Sequence, residues 1–383
     1  MKTLKSLGWI SGLAGLGLTL PGCGTSDEPQ PGGTGGTGGV SSTAGTSGAM
    51  TAGSANQAGS GGGGSSAIGG TGAGTGTAGG AGAGAGAGTG GGSEAGAGGT
   101  SGSGGGGGVF SGTCTASKAV AGKASGSGPH EVTIETNSDP GIEEGTIFRP
   151  SDLGGAQKYP IFVWAQGGCS QDGLSSRAAM AEIASHGYFV VADGTPDGGD
   201  GREQTGNVVE MGKPLLAYID WAIAENGKPC SAYYQSLETT KVGANGFSCG
   251  GLMAEGTAGD PRMTTWGFTS SGMFSANQAF YQTIHTPVLL IEGGPSDIAY
   301  ENGVRDYENI SKLDVPVMWF SKDIGHGGDL FSNRGGDFTK INLAWLNWWL
   351  KGDQGATGKG ALVGAGCSYC SDNAWEVKSA NVP

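Results

Sequence analysis

From residue 130 onward, the chain alternates between unbroken apolar runs and apolar positions at helical spacing. His130 to Glu135 and Gly145 to Arg149 predict an opening antiparallel pair of strands. Pro160-Ile161-Phe162-Val163-Trp164-Ala165 is apolar throughout, the pattern of a strand buried on both faces of a parallel sheet. Helical spacing follows at Leu174, Ala178, Ala181 and Ala184, and then the run Tyr188 to Ala192 predicts another strand. A second helix puts Leu215, Tyr218, Ile219, Ala222 and Ile223 on one face. Lys241 to Asn245, Met263 to Phe268, Pro287 to Ile291 and Val315 to Phe320 predict further strands, the last of these ending the sheet. Phe338, Ile341, Trp345 and Trp348 recur at i, i+3, i+7 and i+10 and predict the final helix. Strands alternating with helices imply an α/β fold, with a mostly parallel central sheet and helices on both faces.

The first 108 residues follow neither pattern. Met1 to Leu20 carries Lys2 and Lys5 and then an apolar run from Leu7 to Leu20, shorter than a membrane span requires. It ends in Leu20-Pro21-Gly22-Cys23, which resembles the lipobox of bacterial lipoproteins and makes Cys23 the expected lipidation site. An ordinary secretory signal is the other reading, and both imply export. Residues 1–23 are thus expected to be a lipoprotein-type leader. Residues 24–108 are mostly Gly, Ala, Ser and Thr, with Asp27, Glu28 and Glu94 as their only charges. Such a segment has nothing to bury against the entropy of ordering and is expected to be a disordered tether. As a flexible coil, its r.m.s. span would be roughly 50 Å.

Residues 109–383 remain as one domain, long enough to bury roughly three quarters of its unfolded surface around a single core. Setting aside Lys2, Lys5 and the three tether acids leaves 18 cations against 30 acids, a net charge of −12. That balance argues against a nucleic-acid partner. A monomer is expected, meeting the membrane only through the lipid. Besides Cys23 there are six cysteines, Cys114, Cys169, Cys230, Cys249, Cys367 and Cys370, an even number that suits up to three disulfides in an oxidising compartment. Cys367-x-x-Cys370 could also serve a redox or zinc site. With no second such pair and no histidine nearby, a structural bond is expected.

The chemistry centres on Gly246-Phe247-Ser248-Cys249-Gly250, a G-x-S-x-G match between a predicted strand and a helical segment beginning Gly251-Leu252-Met253. A serine hydroxyl needs an adjacent base and an exposed, sharply turned backbone to act as a nucleophile. Chain order in α/β-hydrolases is nucleophile, acid, histidine. Asp297 lies six residues beyond Ile291, and His326, in Gly325-His326-Gly327-Gly328, six beyond Phe320. Both fall at carboxyl ends of predicted strands, where open sheets bind ligands. The expected triad is Ser248 as nucleophile, His326 as base and Asp297 as the residue that orients it. His186 reads as a helix terminus, His285 precedes its strand, and His130 begins the first strand. Glu292 stands too near a strand end to be the acid, and Asp306 reads as helical.

Two backbone donors should stabilise the oxyanion. The expected pair is the amide of Cys249 and that of Gly168, in Gln166-Gly167-Gly168-Cys169. Gln166, Trp164 and Phe247 are candidates to shape the substrate pocket, although Trp164 reads equally well as core. Asp193 to Asp200 lacks the acid spacing of an EF-hand and reads as a solvated turn. No metal or other cofactor is expected.

These segments, together with Glu182-Ile183-Ala184-Ser185-His186-Gly187-Tyr188 and Gly293-Gly294-Pro295-Ser296-Asp297-Ile298-Ala299-Tyr300-Glu301-Asn302-Gly303, resemble secreted α/β-hydrolases of the PET hydrolase/cutinase-like and dienelactone-hydrolase-like type. The resemblance covers most of residues 130 to 355. It implies the α/β-hydrolase fold and cofactor-free hydrolysis of carboxylic esters but not polyester activity; the expected partner is an ester substrate, small or polymeric. The expected function is an extracytoplasmic serine esterase, a cell-envelope lipoprotein facing the periplasm or the cell exterior. A peptidase or acyltransferase on the same triad, or a non-catalytic binding module, are the alternatives. If both oxyanion donors reach one oxygen, the loops holding Cys169 and Cys249 must meet, and a disulfide between them is expected; free buried thiols are the alternative.

Overall fold

The computed structural model describes residues 112–383. The leader over 1–23 with Cys23, the linker over 24–108 and the first three residues of the expected domain lie outside the described residues.

Ten strands form one mixed sheet: β1 (Lys118–Ala124), β2 (Val132–Thr136), β3 (Gly145–Pro150), β4 (Tyr159–Ala165), β5 (Phe189–Asp193), β6 (Leu237–Gly246), β7 (Met263–Thr269), β8 (Val288–Glu292), β9 (Val317–Lys322) and β10 (Trp375–Ala380). Their spatial order is β1-β2-β3-β5-β4-β6-β7-β8-β9-β10. The six strands from β5 to β9 in that order pair in parallel. The outer pairings are antiparallel. From β4 the chain first moves to β5 on one side and then returns to β6 on the other. A crevice opens at the carboxyl ends of strands where the winding reverses in this way.

Helices α1 (Arg177–Ser185), α2 (Val208–Asn226), α3 (Cys249–Glu255), α4 (Gln278–Tyr281), α5 (Tyr300–Ile310) and α6 (Gly336–Lys351) cover the two faces, and the short α7 (Lys359–Leu362) and α8 (Ser368–Ser371) follow. Strand alternation decides which residue meets which face. On β4, Ile161, Val163 and Ala165 pack with Leu215, Ile219 and Ala222 of α2 and with Leu252 and Met253 of α3. Phe162 and Trp164 point the other way, among Met180 and Ile183 of α1 and Leu343 and Leu346 of α6. Trp345 and Trp348 of α6 reach a third cluster with Leu289 and Ile291 of β8.

The predicted internal strands and the three long helices are present, within a few residues. The edges differ from expectation. Strand β1 precedes the expected opening pair, so His130 stands just before the second strand instead of beginning the first. Its sequence, Lys-Ala-Val-Ala-Gly-Lys-Ala, is largely exposed and carries no apolar run to announce it. Strand β10 follows the expected last strand and pairs along all of β9, from Trp375 opposite Lys322 to Ala380 opposite Val317. The helix α6 is likewise not the final one. Leu174 falls outside α1. Among the described residues, no helix is long and apolar enough to cross a membrane.

Candidate active site

Strand β6 ends at Gly246 and α3 begins at Cys249, leaving two residues for the turn. Ser248 sits there with φ 54° and ψ −122°, a strained backbone for a residue with a Cβ. The flanking glycines are required by contact. A Cβ on Gly246 would lie 2.1 Å from the Gly250 carbonyl oxygen, and one on Gly250 would lie 2.2 Å from that of Ala165. The turn is held by the Ser248 amide donating to the Thr269 carbonyl (3.0 Å). The Ser271 hydroxyl donates to the Ser248 carbonyl (2.6 Å).

Asp297 and His326 meet this serine from the ends of β8 and β9. His326 Nε2 lies 2.9 Å from Ser248 Oγ, and its Nδ1 lies 2.6 Å from Asp297 Oδ1. The Asp297 side chain is fully buried and also accepts from the amides of Ala299 (2.8 Å) and Gly293 (3.2 Å). Three carboxylate bonds fix its orientation, so the acceptor offered to the imidazole is held in place. Its loop and that of the histidine are tied together, since the Gly293 carbonyl accepts from both Ile324 and Gly325. The Gly327 amide donates to Ser270 Oγ (3.0 Å), which fixes the far side of the histidine loop to the exit of β7.

The loop after β4 forms a tight turn, Gly167–Cys169, with Gly168 left-handed at φ 65°. A disulfide joins Cys169 to Cys249, the residue after Ser248, so this loop and the Ser248 turn do meet. Among the described residues, neither the Gly168 amide nor the Cys249 amide has a hydrogen-bond acceptor. Gly167 is pressed against Phe247, where an added Cβ would lie 2.4 Å from the ring. The other cysteines among the described residues pair as Cys114–Cys230 and Cys367–Cys370, which leaves no free thiol for a zinc site at the C-terminus.

A cleft of ≈ 220 Å³ opens at Ser248 and His326, lined also by Gln204, Leu252, Phe274 and Ile298. Of the three pocket candidates, Trp164 takes its alternative reading as core, and Gln166 and Phe247 require correction. Trp164 points into the core among α1 and α6, and its Nε1 donates to Gln166 Oε1 (3.1 Å). Gln166 is itself fully buried, its Oε1 also accepting from Ser176 Oγ (2.8 Å), so it ties the loop to the start of α1 instead of facing the cleft. Phe247 flanks the histidine, with its ring 4.9 Å from the imidazole and edge-on to Phe331. It does not line the cleft. The apolar surface there comes from Phe274, 66% exposed, and Ile298, 84% exposed, which sequence reasoning missed. The signal was available: an isoleucine directly after Asp297, and Met273-Phe274 just past a strand's carboxyl end, both in otherwise polar loops.

The remaining histidines and acids fall elsewhere. His186 caps the end of α1 beside Glu182. His285 is exposed ahead of β8, and His130 pairs with Asp152. Asp306 lies on α5 as expected, and Glu292 ends β8. The Asp193 to Asp200 turn is not solvated at its start. Asp193 is fully buried, bound by the guanidinium of Arg202 (2.9 Å) and by Tyr218 Oη (2.6 Å), which anchors the loop to α2.

Behind the site, Glu292, Glu255 and Asp306 are fully buried. Burial pushes all three carboxyls above their usual range; neighbouring charges add to the effect on Glu292 and Glu255. Comparison with models of protein families and with curated proteins gave no match to this chain.

Proposed function

We propose that this chain is a serine hydrolase with the α/β-hydrolase fold, cleaving carboxylic esters through an acyl-enzyme. The observation that carries the reading is the hydrogen-bonded series from Ser248 Oγ through both ring nitrogens of His326 to Asp297. In this reading Nε2 takes the hydroxyl proton as Oγ attacks the ester carbonyl. The imidazolium then gives that proton to the departing alkoxide, leaving the acyl group on Ser248. A water attacks the acyl-enzyme by the same proton transfers in reverse. Asp297 keeps Nδ1 protonated and Nε2 free to accept. The unpaired amides of Cys249 and Gly168 are the donors assigned to the oxyanion, in the arrangement that costs no reorganisation during reaction. No cofactor enters these steps.

Phe274 and Ile298 give the cleft an apolar wall, which suits an ester with an apolar acyl or aromatic group. Labelling with a fluorophosphonate tests the nucleophile: the wild-type protein should be modified at Ser248, and absence of labelling would leave the chain a binding module. Matched p-nitrophenyl esters and anilides separate an esterase from a peptidase. Adding alcohol or amine acceptors detects acyl transfer.

We also propose that the domain is exported, held by lipid on Cys23 through the long Gly-rich segment. Three disulfides among the described residues support an oxidising compartment. Incorporation of labelled fatty acid, lost on Cys23→Ala, tests the anchor.

A further inference from the structure

The serine-hydrolase reading leaves one buried carboxyl beside the triad without a role. Glu292, the last residue of β8, accepts the Ser271 amide at its Oε1 (3.1 Å). Ser271 in turn donates its hydroxyl to the Ser248 carbonyl (2.6 Å). One residue earlier, Ser270 Oγ accepts from Gly327 in the histidine loop. Two residues later, Asp306 Oδ2 accepts the Met273 amide (2.7 Å) while Arg305 donates to the Met273 carbonyl (2.7 Å). The segment from Ser270 to Met273 thus touches both the nucleophile turn and the histidine loop, and buried acids hold it from behind. Space has been made for one of them: a Cβ on Gly303 of α5 would lie 2.3 Å from Glu292 Oε1.

We infer, on the serine-hydrolase reading, that Glu292 is a positioning residue for the nucleophile: its carboxyl holds Ser271, and Ser271 holds the strained turn of Ser248 in its attacking geometry. The left-handed serine would relax without such a restraint, and attack geometry is sensitive to displacements of about 1 Å. Glu292 acts as an acceptor and not as a charge. Its Oε2 has no partner among the described residues, and an unpaired ionised oxygen at full burial is costly. Around it stand Asp297 on its own loop, Asp306 and Tyr300 on α5, and beyond Asp306, Glu255 on α3 and Tyr281 on α4. Among these neighbours acids predominate, which favours the uncharged carboxyl.

The test compares Glu292→Ala, Glu292→Gln and Ser271→Ala in the purified full chain, using an activated ester and a fluorophosphonate. In Glu292→Ala, kcat and the labelling rate should fall about 10- to 100-fold with KM changed less than about threefold. Glu292→Gln, which keeps the acceptor, should restore kcat to within about threefold of wild type and leave the acid limb of the pH–rate profile where it was. Ser271→Ala should reproduce the loss, and the double Ala variant should be no slower than the worse single one, as for two links of one chain. Should Glu292→Ala fail to fold, Ser271→Ala still decides the matter, because it keeps the carboxyl and its amide partner. Unchanged kcat in Ser271→Ala would overturn the inference. So would Glu292→Gln as inactive as Glu292→Ala, or an acid limb displaced by the amide, which would reveal a role for charge. A wild-type protein that is neither labelled nor active would instead remove the serine-hydrolase reading itself, before any variant is compared.

Discussion

Cys169 and Cys249 are bonded to each other with their Cα atoms 5.0 Å apart, across a sequence separation of 80 residues. One ends the turn after β4 and the other directly follows Ser248, so the bond joins the two backbone segments assigned to the oxyanion. Closing a loop of that length contributes roughly 4.5 kcal/mol in the chain-entropy model. The Cys169→Ser/Cys249→Ser protein should therefore unfold at lower denaturant. Its kcat should drop more than its KM rises, since the donors lose their fixed spacing. Peptide mapping under non-reducing conditions checks the pairing, and an unlinked Cys169 peptide would remove the basis of this prediction.

Ser248→Ala should abolish ester turnover with the fold retained; the equivalent loss in a serine protease is about 10⁶ in kcat. His326→Ala should be comparably severe. His186→Ala should alter the unfolding midpoint and leave kcat close to wild type, because His186 contacts Glu182 and Ser127 far along the chain from the triad. A mutant pair with the opposite pattern reassigns the base.

Gly250 separates two kinds of glycine in this chain. Its added Cβ would lie 2.2 Å from the Ala165 carbonyl oxygen, whereas Gly155 has open space at that position. Gly250→Ala should push β4's exit away from the nucleophile turn and lower kcat by about 10² or more. Gly155→Ala should change neither rate nor stability measurably. Equal effects of the two substitutions in parallel kinetic and melting measurements would show that the close approach does not constrain the turn.

Stability should decline as pH rises from the acidic to the neutral range. Unfolded carboxyls titrate near about 4, whereas burial pushes Asp306 up to about 6 and Glu292 and Glu255 upward as well. Between those values, the native state holds protons that the unfolded chain has released, so rising pH favours unfolding. The contribution is complete below about 4 and is lost as pH passes through the native values. Asp152, Asp260 and Glu376 have lowered values and act in the opposite sense, their stabilisation being lost as pH falls. Denaturant titrations at pH 5 and pH 8 should show a smaller loss for Glu292→Gln than for wild type. An equal loss would place the pH dependence in other groups.

The internal strands and long helices were legible in the sequence because burial on both sheet faces demands unbroken apolar runs and helices demand their own spacing. The edge strands β1 and β10 were not, since an edge is half exposed and its pairing rests on backbone bonds to a neighbour fixed elsewhere in the chain. The residues Ser248, Asp297 and His326 could be named from chain order and from their places after strand ends. Their separations of 2.9 and 2.6 Å needed the three loops brought together. Position along a strand does not reveal where a side chain's polar end goes: the Trp164 indole donates to the Gln166 side-chain carbonyl in the core, while Ile298 and Phe274 stand at the cleft. The part played by Glu292 was hidden for the same reason. A carboxyl at a strand end looks alike whether it meets water or a buried amide, and only the packing of α5 and the β7 exit around it decides which.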